Sequence, residues 1–174
     1  LLTVLCASVV ADIALGPSTF AFADVLRGLF TPGALPQAQQ VILWELRLPY
    51  AVMAVLVGAS LGLAGAEMQT ALNNPLASPF TLGVSSAAAL GASLVIVFPV
   101  TTLWVSANTA ISLSAFIFAA ASVFLLQAMS RLRGAGVESL VLFGRALGVS
   151  CNAVVDLLPL VATEDVLQQL VFWT

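Results

Sequence analysis

Five apolar stretches, parted by short polar or proline-containing breaks, set the pattern of this chain. Leu1 to Ala14 reads as most of a first spanning helix, with Asp12 near its outer end and Gly16-Pro17-Ser18 stopping it. Phe20 to Phe30 alternates turns of apolar and polar residues, with Asp24 and Arg27 on its polar side, and predicts a short interfacial helix. Thr31 to Gln40 is rich in proline, glycine and glutamine and predicts a loop. The second span runs from near Leu48 to near Thr70. Pro49 suits its first turn, where a missing N–H costs nothing, and Trp44 and Tyr50 flank its mouth as interfacial aromatics.

Asn73 to Pro79 cannot continue a regular helix, because Pro75 and Pro79 each remove a donor and clash with the preceding turn. Asn73 or Asn74 can cap the end of one element or the start of the next, so Asn74, Pro75 and Pro79 are predicted to build a structural turn. The third span covers about Thr81 to Val97, and Pro99 to Ser106 forms a turn with Trp104 at interface depth. The fourth runs from Ala107 to Met129, with Arg131 and Arg133 directly after it. The fifth runs from about Ser139 to Ala162 and carries Arg145 and Asp156. Thr163 is a plausible N-cap for a short amphipathic tail helix whose first turn holds Glu164 and Asp165.

Small residues recur at helical spacing on two spans. Gly58, Gly62 and Ala66 fall four apart, with Gly65 beside them, and Gly83, Ala87 and Gly91 repeat the stripe. Lipid gives helices no hydrophobic drive to associate, so close backbone approach at such stripes has to hold them together. Gly58, Gly62, Gly65, Gly83 and Gly91 are therefore the expected helix-packing positions. The predicted fold class is all-α, a polytopic bundle of about five transmembrane helices forming one domain over residues 1–174.

Composition agrees. Hydrophobic residues make up 61% of the 174 and charged ones only 7%, whereas a soluble domain carries about 25% charged residues. Between Glu67 and Arg131 no residue is charged, which fits two crossings joined by a short turn. With no basic stripe available, nucleic acid is excluded as a partner. The chain has no histidine, so the usual base and the commonest neutral metal ligand are missing. The scattered single carboxylates cannot assemble an oxygen-ligand cage, and no metal site is expected. Cys6 and Cys151 stand alone in apolar surroundings and read as small buried residues. Arg131 and Arg133 are paired basic residues in a short loop, which places that loop, and by counting back the Asn73 to Pro79 turn, in the cytoplasm.

The motifs Arg47-Leu48-Pro49, Leu56-Val57-Gly58-Ala59 and Gly65-Ala66-Glu67-Met68-Gln69 lie in the central stretch, followed by Asn74-Pro75-Leu76-Ala77-Ser78-Pro79 and Leu82-Gly83-Val84-Ser85. Together with Phe172-Trp173-Thr174 they resemble the permease subunits of bacterial ABC importers for iron–siderophore complexes, haem and vitamin B12. The resemblance implies half of a ten-helix type II permease in the inner membrane. An opening without methionine and an end inside an apolar run suit the first half of a longer protein. It further implies pairing with a second, identical or homologous permease subunit, two cytoplasmic ATPase subunits that use ATP and Mg, and an extracytoplasmic substrate-binding protein. This subunit itself would bind no cofactor and catalyse nothing.

By the same resemblance Arg47 stands where family arginines meet acidic residues of the binding protein, an assignment that suits an arginine at a wet rim. Tyr50 replaces a second such arginine. Glu67 and Arg145 stand where the family is usually apolar or small, and Asp156 lies on a helix that helps line the family's pathway. These three are the candidate pathway or gating residues, with a Glu67–Arg145 pair as one arrangement. The expected cargo is a ferric siderophore; vitamin B12 or haem is the alternative within transport, and a non-transporting scaffold or truncated paralogue the alternative outside it. An intramembrane enzyme would need a nucleophile–base pair or a metal-ligand set, and the sequence offers neither.

Overall fold

The computed structural model describes residues 2–14, 22–31, 33, 35–98, 106–131 and 136–173. The predicted stop at Gly16-Pro17-Ser18, the turn carrying Trp104, and Arg133 lie outside them. Every regular element described is helical. The chain divides after Gly62 into two compact units.

In the first unit, α1 (Leu2–Ala14) and α2 (Phe22–Phe30) precede a helical stretch made of α3 (Gln37–Val41), a π-helical segment (Ile42–Arg47) and α4 (Leu48–Ala71), whose last part beyond Gly62 belongs to the second unit. This is one unbroken helix from Gln37 to Ala71, so the expected loop ends earlier than Gln40 and Pro49 is no first-turn residue. Inside a helix, Pro49 has no N–H for the Glu45 carbonyl and its ring crowds that carbonyl. The π turn just before it widens the backbone, and Leu48 N–H reaches back five residues to the Leu43 carbonyl. Pro36, in extended conformation, starts the helix, its carbonyl accepting from Gln39 N at 2.9 Å and Gln40 N at 3.0 Å. Ile13, Val25, Leu43 and Ala51 form the unit's core. Gly28 gives Leu35 and Leu43 the room to close against α2.

The second unit is organised around α5 (Val84–Val97), whose Ala87, Gly91, Ala92, Ser93 and Ile96 are buried. Around it pack α6 (Ala107–Ser130), α7 (Val137–Leu157, continued by a 3-10 turn Leu158–Leu160) and α8 (Glu164–Trp173). Leu170 of α8 joins Ala92, Ile96 and Ile111 in a core with Val166 packed against it, while Val171 and Phe172 stay exposed. Ser106 caps α6, its Oγ accepting from Thr109 N at 3.3 Å.

Among the described residues, three helices are long and apolar enough to cross a membrane: Gln37–Ala71, Ala107–Ser130 and Val137–Leu160. Leu2–Ile13 and Val84–Val97 are apolar but shorter. At 1.5 Å per residue α5 is about 21 Å long, short of the roughly 30 Å hydrocarbon core. It starts at Val84 rather than Thr81 because Gly83 is in the left-handed region, φ 76°, which no continuous helix admits.

Candidate functional site

The segment between α4 and α5 is built by the same closure used twice. At the end of α4, Asn73 takes φ 44°. Its N–H bonds Thr70 O at 3.3 Å while Asn74 N–H reaches Gln69 O at 3.1 Å, the paired bonds of a left-handed helix stop. Gly83 repeats this ten residues on, with Gly83 N to Phe80 O at 3.2 Å and Val84 N to Pro79 O at 3.1 Å. Between the two stops, Asn74 Oδ1 accepts from Leu76 N at 3.0 Å, which closes a turn through Pro75. Ser78 and Thr81 hold each other reciprocally: Ser78 N donates to Thr81 Oγ1 at 2.9 Å and Thr81 N to Ser78 Oγ at 3.2 Å.

This turn seats Gly83 directly on α7. A Cβ on Gly83 would stand 2.6 Å from Gly144 O and 2.8 Å from Gly148 N, and one on Gly144 would meet Leu82 Cα at 2.9 Å. Three glycines thus permit backbone-to-backbone contact. On α5, Gly91 lies against α6: its carbonyl accepts from Ser114 Oγ at 2.7 Å, and a Cβ there would meet Ser114 O at 2.7 Å. Beside the glycine crossing opens a cleft of about 210 Å³, bordered by Phe80, Thr81, Ser86, Arg145, Val149 and Asn152.

Glu138, Arg145, Asn152 and Asp156 are all exposed in this chain. Their spacing of seven, seven and four puts them on one face of α7. A polar stripe along a spanning helix belongs against protein or water rather than lipid. Arg145 and Asp156 are thereby brought onto one face. Glu67 is exposed on α4 and makes no ion pair with Arg145 among the described residues, so that suggested pair does not form.

Arg47 is half-buried at the end of the π segment, and its Nη1 donates to Ile13 O at 2.7 Å. Trp44 Nε1 likewise donates to Gly28 O at 3.2 Å, while Tyr50 is 73% exposed. Gly58, Gly62 and Gly65 have no such neighbour. A Cβ at any of them meets nothing within 4 Å, so among the described residues no helix packs against this stripe. No group of three or more metal-binding side chains occurs among the described residues.

The sequence profile of the FecCD transport family matches residues 2–174. The chain belongs to this family. Similar proteins include the vitamin B12 import system permease protein BtuC of Pectobacterium atrosepticum, 37% identical over 84% of this chain and 43% of the relative. The corresponding protein of Serratia proteamaculans is 39% identical over 79% and 40%. A probable iron chelatin transport system permease protein of Helicobacter pylori strain J99 is 40% identical over 76% and 38%. Among solved structures, an inward-facing conformation of a metal-chelate type ABC transporter superposes with TM-score 0.74 at 27% identity, covering 99% of this chain and 50% of that one. The chain thus spans less than half the length of the curated relatives it matches. FecCD membership and the apolar helices make it a polytopic inner-membrane protein.

Sequence reasoning about this FecCD chain overlooked Gly144 and Gly148, although Gly144-Arg145-Ala146-Leu147-Gly148 has the same four-residue spacing as the stripes it singled out. It also overlooked Asn152, which completes the stripe between Arg145 and Asp156. Ser86 carries no signal of its own. It becomes visible only once Gly83 is docked on α7.

Proposed function

We propose that this helical bundle works within the permease of an ATP-driven importer of metal chelates. The observation that carries the reading is the FecCD profile match over residues 2–174, supported by the fold-level likeness to a metal-chelate type transporter. In this reading a second permease subunit completes the pathway. Two cytoplasmic ATPase subunits supply energy from ATP and Mg, and an extracytoplasmic binding protein delivers cargo. ATP binding and hydrolysis bias an equilibrium between outward- and inward-open arrangements. The short helix α5, held by backbone contacts at Gly83 and Gly91, moves as a rigid piece with α6 and α7.

Cobalamin is the cargo named for the Pectobacterium and Serratia relatives, which moves it ahead of the ferric siderophore anticipated from the sequence. The Helicobacter pylori relative named for iron chelatin keeps a ferric chelate as the second reading. Arg47 remains the candidate docking residue, Asn74, Pro75 and Pro79 the structural turn, and Glu67, Arg145 and Asp156 the candidate pathway or gating residues. The test is a radiolabelled uptake panel of cobalamin, haem and ferric siderophores in cells expressing the complete importer. Uptake of one of them that stops when the ATPase is inactivated is the expected result. A complex that captures no ATPase and moves no chelate contradicts the proposal.

A further inference from the structure

We propose that Arg145, in the cleft it lines, receives an oxyanionic group of the passing chelate: a phosphodiester or carboxylate oxygen. This deepens the metal-chelate reading above and rests on it. Arg145 lies about 12 Å along α7 from Val137, where a guanidinium is costly against lipid and needs a protein-lined or watery space. The 210 Å³ cleft is such a space, roomy enough for an acidic group and accompanying water.

The chemistry of the cleft is one-sided. Thr81, Ser86 and Asn152 bring hydroxyls and an amide, and no carboxylate borders it. On the same face of α7, Glu138 lies about 10 Å back and Asp156 about 16 Å onward along the axis, too far to neutralise the guanidinium directly. Among the described residues Arg145 has no hydrogen bond or ion pair. A guanidinium presents its donors as a planar fork that matches carboxylate and phosphate oxygens, and the neutral neighbours can complete the shell around such an anion. Gly83, Gly144 and Gly148 fix the wall of the cleft through backbone contact, so Thr81, Ser86 and Asn152 are presented from a rigid crossing.

The experiment compares chelates that differ in this group, in cells expressing the complete importer with wild-type or Arg145→Gln permease. Cobalamin carries a phosphodiester and cobinamide lacks it; ferric citrate carries carboxylates and ferrichrome is a neutral hydroxamate. The expected result is about a tenfold fall in uptake of the oxyanion-bearing member of whichever pair the wild type transports. Uptake of its partner stays within about twofold, Arg145→Lys gives an intermediate value, and the ATPase copurifies undiminished. Which pair responds identifies the source of the oxyanion. Equal losses for both members, or no loss, overturn the inference while leaving the importer reading intact. Loss of the assembled complex in both variants also overturns it, since Arg145 would then pair with an acidic group of a partner subunit. A wild-type importer that moves none of the four overturns this inference, and one that moves no chelate at all sinks the importer reading as well.

Discussion

Arg47 Nη1 donates a 2.7 Å hydrogen bond to the backbone carbonyl of Ile13, in the last turn of α1. The last carbonyls of a helix have no partner within it and carry its negative pole, so a guanidinium there satisfies both needs. The residue expected to face a docking protein is therefore also a clasp inside its own chain. Arg47→Ala should lower stability by about 1.5–3 kcal/mol, the range for hydrogen bonds to charged groups, read as a lower unfolding temperature in detergent. Docking is tested separately: Arg47→Glu should lose binding-protein capture well beyond Arg47→Ala at matched stability. Equal capture by both variants would leave Arg47 a structural residue alone.

The clasp depends on the π segment. One extra residue per turn before Pro49 rotates everything upstream of the segment by about 100° relative to a regular helix, and Arg47 closes that segment. Pro49→Ala restores the missing N–H and removes the crowding that favours the wide turn. The segment is then expected to relax toward regular helix and swing Arg47 away. In a background lacking Cys6 and Cys151, a cysteine pair introduced at Val9 and Ala51, which belong to one core, should crosslink readily while Pro49 is kept and poorly in the Pro49→Ala variant. Unchanged crosslinking would mean that the π turn persists without the proline.

The two glycine stripes should respond in opposite directions. Gly83→Ala forces a Cβ to 2.6 Å from Gly144 O at φ 76°, and the conformation alone costs about 1–3 kcal/mol. Gly144→Ala collides with Leu82 backbone, so both variants should express poorly. Gly58→Ala and Gly62→Ala meet nothing within 4 Å and should gain up to about 1 kcal/mol each from helix propensity. Thermal unfolding of the solubilised protein separates the pairs. Gly62→Leu adds the question of assembly: it should leave the unit folded and reduce recovery of the assembled complex if the stripe receives a helix from elsewhere in the permease.

These contrasts mark what the sequence could reveal. The break at Asn73 to Pro79 and the limits of α6 are legible because prolines, Asn73 and Ser106 act locally, through backbone geometry and capping. The start of α5 is not, because Gly83 looks like part of a small-residue stripe until its left-handed φ is known. Gln37 to Arg47 hides its helix because a π turn leaves no compositional trace, and Pro49 suits a first turn equally well. Gly58, Gly62, Gly144 and Gly148 share one spacing, and in spans that are apolar nearly all round no polar face tells which stripe turns inward. The polar stripe on α7 is half legible: Arg145 and Asp156 stand out by charge, while Asn152 needs the helix face to connect them.

Sidedness turns on α5. Leu76, 79% exposed in the turn before α5, and Arg131, at the end of α6, are separated by one short helix and one long one. If α5 crosses, both positions lie on the same side, and the basic residues after α6 make that side cytoplasmic. At about 21 Å it can cross only with help, such as tilting neighbours or a locally thinned bilayer. The turn before it, whose backbone groups are satisfied internally at Asn74, Ser78 and Thr81, can enter the membrane margin and make up the length. Leu76→Cys and Ser130→Cys, each without the native cysteines, should therefore react with a membrane-impermeant maleimide in inside-out vesicles and resist it in intact cells. Labelling of the two from opposite sides would mean that α5 does not cross. Labelling of both from outside would invert the orientation and move Arg47 to the cytoplasmic face, ending its candidacy for docking an extracytoplasmic protein.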